Sequence, residues 1–148
     1  MDSETLNEQI RTVVYECMNR IDANGIGSLN ETHRLLYLGW EYVGQVLNGG
    51  HAQFFYNSSG AYASETVQAL KELALPIHAS ALEAAAHLLF RDNPIPNDIK
   101  ARNDVMCVES SDAEDHELEK LDETIFALDT DVVYAKLRSL YLSYRGDA

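Results

Sequence analysis

"NGGHAQFFYNSSG", residues 48–60, decides how this chain is read, because it interrupts a sequence otherwise written in helical rhythm. Gly49 and Gly60 read as helix stops, with Gly49 in the left-handed conformation that closes a helix. Between them Phe54 and Phe55 must bury at least one ring. Gln53 and Asn57 stand where they reach the backbone groups that helix ends leave unsatisfied. The structural reading is a short helix clamped between two glycine corners and shaped by Asn48, Gly49, Gly50 and Gly60. The functional reading makes His51, Gln53, Asn57 and Ser58 a small pocket for a ligand or for hydrolysis.

On the N-terminal side, Leu6, Ile10, Val13, Cys17 and Ile21 recur at three- and four-residue steps and line one face of a first helix, which ends at "DANGIG" (22–27). A second helix presents Leu36, Trp40, Val43 and Leu47. Its start has two candidates, a Ser28-x-x-Glu31 capping box and an N-cap at Asn30 behind the apolar Leu29. Beyond the corner, Val67, Leu70 and Ala74 share a face. Pro76 suits the first turn of the next helix, where Ala81, Ala84 and Ala85 allow close packing. "DNPIPN" (92–97) is a break, and residues 98–108 suit a short helix. Two further helices bury Leu118, Leu121, Ile125 and Leu128, then Val133, Leu137, Leu140 and Tyr144. No strand-like alternation competes, so the expectation is an all-α single domain over residues 1–148, with six or seven helices.

A chain of 148 residues buries roughly 70% of its unfolded surface without help from disulfides or metal. Its 46% hydrophobic and 24% charged residues are ordinary for a folded domain. Cys17 and Cys107 read as reduced packing residues. The start "MDSETLNEQI" lacks a secretory pattern and no segment suits a membrane span, which reads as a cytoplasmic, bacterial-type protein. The net charge of −13 argues against nucleic acid or an anionic membrane as partner and favours a basic one.

Chemistry-bearing motifs are sparse. Asp22, Asn24, Gly27 and Asn30 imitate a calcium loop, but Ile26 and His33 occupy positions that must supply ligands, so a hydrated turn is read there. His33, His51, His78, His87 and His116 form no metal-ligand pair, and most of them read as surface or helix-face residues. No nucleophile elbow or cysteine signature marks an enzyme. No cofactor and no metal are expected.

The signal lies in residues 109–131. Ten carboxylates (Glu109, Asp112, Glu114, Asp115, Glu117, Glu119, Asp122, Glu123, Asp129 and Asp131) face the single cation Lys120, a local net charge of −9. Asp115, Glu119 and Glu123 fall at i, i+4 and i+8, in file and about 6 Å apart along a helix axis. That interval approximates two phosphate steps along a DNA strand, about 3.4 Å each. A helix dipole welcomes Asp112, Glu114 and Asp115 but does not account for Glu119, Glu123 or Asp129. Asp122 borders the apolar face and reads as a partly buried hydrogen-bond acceptor.

The run from Leu38 to Leu73 resembles the DNA-mimic-protein-like family, an all-helical bacterial domain. The resemblance is carried by Asn48, Gly49, Gly50, Gln53, Phe54, Phe55, Asn57, Ser58, Ser59, Gly60, Ala69 and Leu70. Leu121, Asp122, Phe126, Leu140 and Tyr144 form a second block, and Asn30 and Arg34 suit the family's helix start. Gln45 departs from a usual glutamate, Leu47 from a common asparagine and His51 from a usual aromatic, so any pocket those residues shape is altered here. The resemblance spans roughly residues 28–145 and implies an all-α fold, a homodimer, and an acidic surface that occupies a DNA-binding protein such as a transcription factor or nucleoid protein. It also admits an immunity protein that neutralises a toxin. It implies no enzyme activity and no cofactor.

Overall fold

Capping residues set where the helices begin. Asp2 accepts the Thr5 N–H at 2.8 Å and starts α1 (Ser3–Asn24). Asn30 accepts the His33 N–H at 2.8 Å and starts α2 (Glu31–Tyr56). That settles the choice between the two candidate starts, since the Ser28 hydroxyl instead donates to the Gly25 carbonyl at 2.7 Å. After α3 (Ala63–Glu72), Pro76 opens α4 (Pro76–Phe90). α5 (Ile99–Glu109) follows the two-proline break, Ser111 caps α6 (Asp112–Phe126), and α7 (Asp131–Arg145) ends the bundle. This computed structural model describes residues 1–109 and 111–146, leaving aside the side chains of residues 107–109. Cys107 and Glu109 therefore lie outside the described side chains. The described residues form seven α-helices and no strand, an all-α fold.

α2 is the central element and packs against α1, α3, α6 and α7. Leu36, Tyr42, Val46, Phe54 and Phe55 from α2 join Ile10 and Cys17 of α1, Leu70 of α3, Leu82 of α4, Ile125 of α6 and Leu137 of α7 in one core. Both phenylalanine rings are buried, stacked edge to face with centroids 5.1 Å apart. Val14 rather than Val13 is the fully buried valine of α1, and Tyr144 at the last turn of α7 is exposed.

The glycine corners differ from the sequence expectation. α2 does not stop at Gly49. It kinks there and resumes as far as Tyr56, and the positive φ falls on Gly50 (74°), while Gly49 is at −152°. The cause is long-range. The Asp122 carboxylate occupies the space a Gly50 side chain would fill and accepts the His51 N–H at 2.8 Å. α6 thus caps the restarted helix from 71 residues away. Gly60 is likewise no helix stop. It sits inside the 3-10 segment Ser58–Tyr62, and a Cβ there would lie 2.8 Å from the Phe55 backbone. Close approach, not left-handed geometry, requires this glycine.

Arg102 locks the same region from behind. Fully buried, it donates from Nε to the Phe55 carbonyl at 2.7 Å and from its terminal nitrogens to the carbonyls of Asn57 (2.7 Å), Pro96 (2.8 Å) and Asn97 (3.1 Å). The carbonyls left over at the end of α2 are satisfied by a guanidinium from α5. Burial pushes the Arg102 pKa down from its ordinary value.

Candidate functional site

α6 owes its position to one apolar edge and two polar fastenings. Leu118 and Ile125 are buried, with Leu121 half-buried beside them. Near its N-terminus Glu114 pairs with Arg91, which follows α4, and two-thirds of the way along Asp122 reaches α2. The remaining surface of α6 faces solvent. There Asp115, Glu119 and Glu123 are exposed, as is Asp112 in the first turn.

The acidic run separates into compensated and uncompensated groups. Glu114 is held by Arg91, Glu117 by Lys120 at 3.1 Å, and Asp131 by Arg138 at 2.6 Å. The hydrogen bond from Arg138 keeps the Asp131 carboxyl below its usual range. Asp129 accepts the Asp131 N–H at 3.0 Å in the turn before α7. Among the described residues, no ion pair engages Asp112, Asp115, Glu119, Glu123 or Asp129. The i, i+4, i+8 file therefore stands unneutralised on the solvent side of a helix fixed at both ends. Like charges one turn apart repel by a few tenths of a kcal/mol per pair, and the packing of Leu118 and Ile125 holds the helix against it. Phe126 is also exposed, at the end of this face.

The corner residues do not gather into the small pocket expected of them. His51, rather than lying at the surface, is fully buried, with Nδ1 2.6 Å from Asp122 Oδ1 and Nε2 3.0 Å from the Tyr42 hydroxyl. Tyr42 is buried as well, and its oxygen lies 3.4 Å from the His78 carbonyl. This Tyr–His–Asp chain has the order of a proton relay, but the tyrosine and the histidine have no exposure through which a substrate could meet them. It ties α2, α4 and α6 together. His78, on α4, is a second buried histidine, and burial, followed by the nearby His51, lowers its pKa.

Gln53 and Asn57 turn the other way. Their amides donate to Gln45 Oε1, each at 2.8 Å, and Asn48 donates to Gln53 Oε1 at 3.0 Å. These side chains bond one another rather than the loose backbone groups assigned to them, which Arg102 and Asp122 serve instead. Ser58 is exposed and belongs to neither set. Gln45 is the hub, and its Nε2 faces Glu41 Oε2 at 3.5 Å. A glutamate at 45 would set two carboxylates one turn apart, whereas the glutamine accepts from two amides and faces the acid with its NH2. Burial raises the Glu41 pKa, with the Gln45 bond acting in the opposite sense.

Arg91, Arg102, Arg138, Tyr42 and Gln45 all carry weight here, and the sequence reading missed each one. Only Gln45 left a trace, as a departure from a family pattern. Arg91 and Arg102 act on partners distant in sequence, which no local periodicity marks, while Arg138 shares α7 with Asp131 at i, i+7.

The architecture defines a class: a helical bundle carrying, among the described residues, an anionic file free of ion pairs on one externally facing helix. The chain belongs to the family described as DMP19-like protein, whose model matches residues 27–144. This is the DNA-mimic family that the corner and the second block resemble. The match leaves out the whole of α1. Comparison with curated proteins and with solved structures finds no significant match. No helix among the described residues is long and apolar enough to cross a membrane.

Proposed function

We propose that this chain is a non-enzymatic interaction protein whose α6 surface occupies the DNA-binding face of a basic protein, of the transcription-factor or nucleoid type. The observation that carries the reading is the exposed, unpaired file Asp115, Glu119 and Glu123. Membership of the DMP19-like family supports it. The three carboxylates rise about 6 Å per step along the helix, close to alternate phosphates of one DNA strand, and Asp112 adds charge in the first turn. A rigid anionic file steers a basic surface toward it and fixes orientation, while most of the attraction is screened within about 8 Å at physiological salt.

The test is capture of basic proteins by the intact chain at low and high salt, beside the triple variant D115K/E119K/E123K. The reading expects a partner retained at low salt, released as salt rises, and lost with the triple variant, whose fold is unchanged because all three side chains are exposed. A partner bound equally by both proteins would refute it.

A further inference from the structure

A second surface lies on the opposite flank of α6, and it is apolar. α4 and α6 run antiparallel, since Pro76 and Ile77 at the start of α4 meet Thr124 late in α6 while Arg91, beyond the end of α4, pairs with Glu114 early in α6. Along their outer seam Ile77, Ala81 and Ala84 face Leu121 and Thr124 across a depression of about 450 Å³. A second depression of about 350 Å³ continues it over Leu128 and Val132 toward α7, with Pro76 and Ile77 common to both. Ile77, which lines both, is 51% exposed, with Ala81 buried and Ala84 and Leu121 half-buried beside it. One carboxylate, Asp129, lines the second depression and has no ion pair among the described residues. Lys120, one turn before Thr124 on α6, is already engaged by Glu117.

We infer that this seam docks an amphipathic, lysine- or arginine-bearing helix of the basic partner, an inference that rests on the proposed function. Two depressions that share Pro76 and Ile77, the first lined by Ala81 and Ala84, which permit close backbone approach, match apolar anchors at i, i+4 and i+7 of a guest helix. Charge selects the guest: Asp129 stands unpaired at one end, and a chain of net charge −13 repels an acidic helix. The anionic file and the apolar seam then flank one helix, so the partner is held by charge on one side of α6 and by burial on the other. Hydrophobic anchoring makes this second contact less sensitive to salt than the first.

The probe is a labelled amphipathic peptide of leucine, alanine and lysine, roughly four helical turns long, titrated by fluorescence anisotropy against the full chain at physiological salt. A scrambled peptide of the same composition is the control for bare charge. The amphipathic peptide is expected to bind at least about tenfold tighter than the scrambled one. Ile77→Asp and, independently, Thr124→Arg should abolish that preference with thermal unfolding unchanged, and Asp129→Lys should weaken both peptides. The triple variant D115K/E119K/E123K should keep the preference. Equal affinity for the two peptides, a preference that survives both seam variants, or a seam filled by a second copy, seen as a dimer that Ile77→Asp dissociates without any peptide binding, would each overturn the inference. If the seam fails while a basic protein is still lost with the triple variant, the anionic-face reading stands without it.

Discussion

Asp122 carries more structure than any other single residue of α6. One oxygen accepts both the backbone N–H and the ring Nδ1 of His51, and the carboxylate fills the space beside Gly50. Asp122→Ala leaves two buried donors without an acceptor, each worth about 1–3 kcal/mol, so chemical denaturation should show a loss of at least about 2 kcal/mol. The sequence reading recognised Asp122 as a partly buried acceptor from its place at the border of an apolar face. It did not identify the donor, because nothing local specifies a pairing across a separation of 71 residues. His78 adds a pH dependence. Burial and the neighbouring His51 lower its folded pKa below the ordinary 6.5. Between those two values the unfolded chain binds more protons, so stability contributed by neutral His78 is complete above 6.5 and is lost as pH falls through the folded value. Denaturation midpoints from about pH 7.5 to about pH 5 should fall less steeply in His78→Gln than in the parent. Parallel curves would show that His78 does not titrate in this window.

At the scale of elements, periodicity and caps located the helices well, because amphipathic spacing and N-caps are local properties. The chain path through the corner was not legible, since it depends on Asp122 and Arg102, which belong to other helices. Gly50 adopts φ 74° and ψ −175°, a region essentially closed to side chains, and a Cβ there would overlap the Asp122 carboxylate. Gly50→Ala should therefore cost about 3 kcal/mol or more, and a midpoint within experimental error of the parent would remove the account of the kink. Ala74 gives the opposite expectation. Read from spacing as part of an apolar face, it instead sits exposed past the end of α3 at φ 58°. There Leu75 N–H bonds the Leu70 carbonyl at 2.9 Å and Ala74 N–H bonds the Lys71 carbonyl at 3.0 Å, the pattern of a Schellman cap. Glycine is the residue this position suits, so Ala74→Gly should stabilise the protein by about 0.5–1 kcal/mol. In thermal unfolding that is a rise of about 1–4 °C; a fall would contradict the cap.

Over the whole molecule, charge is sorted rather than uniform. Arg91 and Arg138, from outside α6, neutralise Glu114 and Asp131, which narrows the ten-carboxylate run seen in sequence to a smaller exposed set. The Arg91 pairing was invisible beforehand because it is made through the fold, whereas Arg138 reaches Asp131 along α7 at i, i+7, a helical spacing that the sequence holds but the reading passed over. The surviving file was legible, since i, i+4, i+8 spacing and the position of Leu118, Leu121 and Ile125 determine which side of a helix meets water. Imitation of DNA requires this file to compete with DNA itself. The most direct measurement takes a basic protein captured by the chain, forms its complex with labelled duplex DNA, and titrates in the chain while the release of DNA is followed at two salt concentrations. The account predicts stoichiometric displacement by the parent and none by D115K/E119K/E123K. DNA that stays bound, or is displaced equally by both proteins, would contradict it.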